Sequence, residues 1–206
     1  MINGQRLTLR PWNEGDLAFF QRLRNDVETQ IELLAVPRPN PMHRVRKWLE
    51  DRSSAFDGVF FVIADIDNDS AIGFIELREI HAVHGWGSLG ICLGRDARGK
   101  GFASHALELM ESYARRVLML RKIVLNVAST NDGARRLYES AGYRTVGIHH
   151  QHYHAAGEWL DAIVMEKGLN AEEPQPEAAT TSRIDGQHVP SGGVRHRASG
   201  QRLATS

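Results

Sequence analysis

The chain has 206 residues, and its 25 Lys and Arg balance its 25 Asp and Glu to a formal net charge of zero at pH 7. That length suits one substantial core with an appendage, and the charge balance excludes the basic surface of a nucleic-acid binder. One cysteine, Cys92, excludes an internal disulfide. No apolar run approaches the ~20 residues of a membrane helix, and MINGQRLTLR holds no signal-peptide core. A cytoplasmic protein without nucleic-acid or membrane partners is therefore expected.

Leu7 and Leu9 share one face of a predicted strand over 6–10, and Asp16 is placed to cap a helix running to Asn25. The sequence Val36-Pro37-Arg38-Pro39-Asn40-Pro41 cannot be helical and suits a loop bordering a substrate site. A helix is predicted over 42–51. Strands over 59–65, 71–80 and 86–93, separated by Asp67-Asn68-Asp69 and His84-Gly85, read as an antiparallel meander.

Arg98-Gly99-Lys100-Gly101-Phe102-Ala103 then turns strand into helix. Its glycines open backbone conformations closed to other residues, so successive N–H groups can converge on an anion. The helix that follows adds its positive end. Ala103, Leu107, Met110, Ala114 and Val117 recur at helical spacing and form one stripe to bury. A strand over 123–128 and a helix over 132–141 follow, with Gly142 suited to the left-handed position past the helix end. A hairpin closes the order, with strands over 143–154 and 158–166 and a turn at Ala155-Ala156-Gly157. The class is α/β, a mixed and mostly antiparallel sheet of about six or seven strands flanked by about four helices.

Beyond Asn170 the aromatic residues vanish and Pro, Ser, Thr, Ala and Gly dominate. Such a segment buries too little apolar surface to offset its ordering entropy. The expected organisation is a domain over 1–168 and a disordered tail over 169–206.

Three pieces stand in order: Gly90-Ile91-Cys92-Leu93, the bend at 98–103, and the block carrying Asn131, Ala134, Tyr138 and Gly142. Together they resemble the GCN5-related N-acetyltransferase family, over about residues 5–168. The bend fits its Arg/Gln-x-x-Gly-x-Gly/Ala signature, and the four later residues fit its second block. The resemblance implies a sheet splayed at its centre, with acetyl-CoA as co-substrate in the V-shaped split and no metal. It also implies direct acetyl transfer to an amine. Backbone groups of Ile91, Cys92 and Leu93 would pair with the pantetheine arm as an added strand does. The pyrophosphate would rest on the N–H groups of Arg98, Gly99, Lys100, Gly101, Phe102 and Ala103, with Arg98 and Lys100 adding charge. Asn131 would hydrogen-bond the pantetheine, although an asparagine there also suits a helix N-cap.

On this resemblance Tyr138 is the expected general acid. A phenol with pKa near ~10 is protonated at neutral pH and can donate to a departing thiolate, whose parent thiol titrates near ~8.5. An alkyl amine with pKa near ~10.4 arrives protonated, so a base or an ordered water must take its proton. Glu76 and Glu79 lie on opposite faces of a regular strand, and Glu76 is the preferred base. A solvated Glu76, or one paired with Arg78, is the competing reading.

His150, His152 and His154 would share a strand face, but they lack the supporting ligands of a metal site, and the resemblance implies that this hairpin contributes to the acceptor site or to dimer contacts. Cys92 reads as a small buried residue, not a nucleophile. The bend lacks the Gly-Lys-Ser/Thr ending of a phosphate loop, which argues against a nucleotide hydrolase.

The acceptor is less legible. Ile72-Gly73-Phe74-Ile75-Glu76-Leu77-Arg78-Glu79-Ile80, with His81 and His84, resembles the corresponding stretch of spermidine N-acetyltransferases. Upstream, the loop 33–41 is apolar and slightly basic. Arg38 would repel a polyamine and suit a phosphate or carboxylate. The leading expectation is therefore a small-molecule amine of the nucleotide-linked amino-sugar kind. Polyamine acetylation, protein N-terminal acetylation and a non-catalytic acetyl-CoA-binding module are the alternatives. A homodimer follows from family habit alone.

Overall fold

A computed structural model describes residues 1–155 and 157–169. The expected tail lies outside them except for Leu169, which is buried and donates its N–H to the Arg121 carbonyl at 2.8 Å. The elements are β1 (Ile2–Asn3), β2 (Leu7–Arg10), α1 (Leu17–Asn25), α2 (Val27–Glu32), α3 (Met42–Ser53), β3 (Val59–Asp65), β4 (Ala71–His81) and β5 (Trp86–Leu93). They continue with α4 (Phe102–Arg116), β6 (Lys122–Ala128), α5 (Asp132–Ser140), β7 (Arg144–Ala155) and β8 (Glu158–Gly168). One eight-stranded sheet runs in the order β1-β2-β3-β4-β5-β6-β8-β7. Every neighbouring pair is antiparallel except β5 and β6.

The sheet carries an apolar cluster on each face. Ile75 and Leu77 of β4 pack with Leu107, Met110 and Ala114 of α4. Phe74, one residue away and on the opposite face, packs with Phe20 of α1, Leu49 of α3 and Phe60 of β3. The meander, the helix after the bend and the hairpin form as predicted.

The differences have local causes. Asp16 does not cap α1 with its side chain. The cap is Asn13, ahead of a tight turn at Glu14–Asp16, and Asp16 closes the capping box while pairing with buried Arg10 at 2.8 and 2.9 Å. The unpredicted α2 is one short helix capped by Asp26, whose carboxylate accepts from the Thr29 N–H at 2.8 Å. Val117 falls just past the end of α4 and is 60% exposed, and the buried stripe is Ala106, Leu107, Met110 and Ala114. The two-residue β1 is too short to show any alternation. Among the described residues no helix is long and apolar enough to cross a membrane.

Candidate active site

β5 and β6 pair only at Trp86↔Lys122, Gly87↔Ile123 and Ser88↔Val124. Beyond them β5 continues to Leu93 and β6 to Ala128, leaving the β5 edge that carries Ile91, Cys92 and Leu93 unpaired toward β6. This split opens a cleft of about 1000 Å³. Of the twelve residues singled out from the sequence for the site, every one except Lys100 lines it.

The bend enters the cleft from the end of β5. Gly99 and Gly101 have φ of +71° and +81°, conformations that side chains rarely adopt. The Lys100 carbonyl accepts from Arg6 Nη1 at 2.9 Å, and the Arg6 guanidinium lies 4.7 Å over the Phe102 ring. In a trans peptide the Gly101 N–H points opposite to that carbonyl and is left for another acceptor. The first N–H groups of α4 have no acceptor within the helix. Lys100 is exposed and outside the lining. Arg98 is already engaged: its guanidinium donates to the Leu93 carbonyl and Thr29 hydroxyl at 3.1 Å each and meets Glu32 at 2.8 Å. It ties the bend to α2 rather than standing free.

On the other wall, Asn131 starts α5, and its Oδ1 accepts from the Ala134 N–H at 3.0 Å. That N-cap leaves the side-chain NH2 for a ligand. Tyr138 projects from the same helix and is 6% exposed. Burial pushes its phenol well above the usual tyrosine range. Cys92 is buried, and burial pushes its thiol up to about 12, so it stays protonated and unsuited to nucleophilic attack.

Glu76, on β4 beside the middle of β5, lines the floor of the cleft. It is 6% exposed, and burial raises its carboxyl above the ordinary range although Arg52, Arg78 and Arg24 act the other way. Gly90 opposes it in register, and a Cβ there would stand 3.2 Å from its Oε1, so the glycine makes room for the carboxylate. Glu79 is exposed, with φ +50° at an irregularity in β4, and leaves Glu76 alone at the main cleft.

Arg24, Trp48 and Arg52 also line this end, and sequence reasoning missed them. Trp48 and Arg52 stand one helical turn apart on α3, a signal visible in the sequence. Arg24 reaches them only through the packing of α1 on α3. The loop arginine, Arg38, is exposed and outside the lining.

The histidine-rich strand departs from its expected face. A shift in register between His149 and Tyr153, with Gln151 at φ +49°, breaks the alternation. His149 and His152 stack at 4.9 Å, while His150 Nδ1 meets Asp161 at 3.1 Å.

The acetyltransferase (GNAT) domain family matches residues 6–144. The spermidine N(1)-acetyltransferase of Vibrio cholerae is 28% identical over 190 residues, covering 84% of this chain and all of the relative. The probable N-acetyltransferase YjcK of Bacillus subtilis is 26% identical over 182 residues, covering 85% of this chain and all of that protein. A solved structure of the Vibrio cholerae spermidine N-acetyltransferase with CoA and spermine superposes with a TM-score of 0.74 at 27% identity, over 81% of this chain and 97% of that one. A split sheet, a glycine bend at its mouth and agreement over nearly whole relatives lead to one conclusion: the chain belongs to the GNAT family and is an N-acetyltransferase that uses acetyl-CoA.

Proposed function

We propose that this chain moves the acetyl group of acetyl-CoA directly to a primary amine of a small molecule held above Glu76. The observation that carries the reading is one continuous cleft joining the bend, the open edge of β5 and Tyr138 to a buried carboxylate. The residues fit the co-substrate. Two positive-φ glycines and a helix start offer N–H groups to a pyrophosphate, and the unpaired edge at Ile91, Cys92 and Leu93 offers backbone groups to an extended arm.

Acetyl-CoA supplies the activated thioester. Glu76 takes a proton from the ammonium, directly or through water, so that the amine can attack. Tyr138, kept protonated by burial, donates to the departing sulfur. Asn131 holds the pantetheine with the NH2 that its capping role leaves over.

For the acceptor, the comparisons support a polyamine over a nucleotide-linked amino sugar. The relatives named above include spermidine acetyltransferases, and the amino-sugar reading rests on Arg38, which stands away from the cleft. Self-association belongs to the same reading. One solved form of the Vibrio cholerae enzyme is dodecameric, and edge strand β7 exposes Val146 and Ile148.

The test is release of CoA thiol over a panel of polyamines, amino sugars, their nucleotide-linked forms and peptides. Turnover of a small primary amine is expected. Tyr138→Phe should lower kcat about a hundredfold while leaving acetyl-CoA affinity unchanged. Tight acetyl-CoA binding with no release from any acceptor would sink the proposal. Unaltered turnover in the tyrosine variant would assign the proton to water.

A further inference from the structure

The acceptor end of the cleft holds more positive charge than an enzyme for polycations needs. Arg24 from α1, Arg52 from α3 and Arg78 from β4 line it, with Glu76 the carboxylate among them. The other carboxylates of the main cleft stand elsewhere and are committed, Glu32 to Arg98 at 2.8 Å and Asp132 to Arg135 at 3.1 Å. Asp57 and Glu79 lie outside the main cleft and line a smaller one of about 220 Å³ that shares Arg52, Glu76 and Arg78 with it; neither makes an ion pair with those arginines.

Glu76 does not satisfy its three neighbours. Arg52 Nη1 lies 3.6 Å from Oε2, beyond hydrogen-bond distance, and Arg78 Nε at 3.2 Å from Oε1 is not aligned to donate. Five buried side-chain polar atoms lack a hydrogen-bond partner among the described residues, and three are here: Arg24 Nε, Arg78 Nε and Glu76 Oε2. Buried orphans are rare, and their concentration at one end of a cleft marks a place arranged for a ligand. Arg24 is held for that purpose. Its guanidinium lies 4.4 Å over the Trp48 ring, which fixes its plane without using its N–H groups. Burial and the nearby Arg52 lower its tendency to hold a proton, the mark of a cation short of an anion.

We propose that Arg24, Arg52 and Arg78 form an oxyanion subsite, so that the acceptor carries a carboxylate or phosphate beside the amine that Glu76 receives. The inference rests on the acetyl-transfer reading and departs from the polyamine acceptor that the relatives suggest. Planar guanidiniums match either anion in two-pronged fashion, whereas the second and third ammonium groups of a polyamine would face them with like charge.

The experiment compares matched acceptor pairs by CoA release at saturating acetyl-CoA. Glucosamine 6-phosphate is set against glucosamine, 4-aminobutyrate against butylamine, and spermidine is the polycation. The anionic member of at least one pair is expected to be favoured about tenfold or more in kcat/KM, and which pair responds separates phosphate from carboxylate. Arg52→Gln, at a partly exposed side chain, should bring that pair to near parity through KM, the ratio being read within the pair so that any change in Glu76 common to both members cancels. Arg24→Gln should do the same and, being more buried, is read beside a thermal melt. Preference for spermidine or for the neutral members, or an unchanged ratio in Arg52→Gln, overturns the subsite and leaves acetyl transfer standing. No release from any acceptor overturns both.

Discussion

Glu76 shows how burial and charge divide the control of one side chain. Its carboxyl is withdrawn from water beneath the cleft, which favours the protonated form, and three guanidiniums restrain that shift without reversing it. A base with a raised pKa accepts a proton more readily at neutral pH than an ordinary carboxylate does. The sign follows directly. Below its raised value Glu76 is protonated and cannot accept, so kcat/KM should fall as pH drops through a point above the ~4.3 of free glutamate. Glu76→Gln is expected to remove that limb and lower kcat about a hundredfold. A pH–rate profile of both proteins checks it, and an acidic limb that persists in the variant assigns proton removal to another group. Tyr138, Asn131 and Glu76 were legible because each sits in a motif or a regular strand. Arg24 and Arg52 were not, because they meet Glu76 only after α1 and α3 pack on the sheet, and no local spacing records that meeting.

The segment from β5 through the bend into α4 was legible for a related reason: its conformation is local and demands particular residues. Gly99 and Gly101 adopt positive φ, and Gly101 is the N-cap of α4. The use made of Arg98 was not legible, since α2 has six residues, too few to show a helical period. Yet α2 fixes the bend: Arg95 reaches Asp26 at 2.8 Å and Glu28 at 2.7 Å, and Arg98 reaches Glu32. The alternation that made His150, His152 and His154 a face fails at the β7 irregularity, which hydrophobic pattern does not encode. Gly101→Ala forces a side chain into the left-handed region at a cost of about 1–2 kcal/mol. It should lower Tm modestly and raise the KM for acetyl-CoA several-fold, with the acceptor KM unchanged. Steady-state kinetics with each substrate varied in turn distinguishes that outcome from general unfolding, which would reduce the active fraction and leave both KM values alone.

Three paired positions join β5 to β6, the one parallel contact in a sheet of eight strands. On one side stand β1 to β5 with the acceptor end, and on the other β6, β8 and β7 with α5 following β6. The sequence pattern predicts every strand except the two-residue β1, but not which neighbours part, since pairing across the α4 crossover is a tertiary choice. The split was anticipated only through the family resemblance. It has a thermodynamic consequence, because a ligand filling it bridges edges that the fold leaves apart. Acetyl-CoA binding the folded chain alone, at a hundredfold excess over Kd, adds about 2.7 kcal/mol of stability. For a domain of this size that corresponds to a rise in Tm of roughly 5–10 °C. Amide exchange should slow first at 89–93, along the bend at 98–103 and at the start of α5, with little change in β1 to β3. Thermal melts and exchange with and without acetyl-CoA check both halves. A rise in Tm with protection spread evenly over the sheet would mean that the ligand stabilises the whole fold without closing this split.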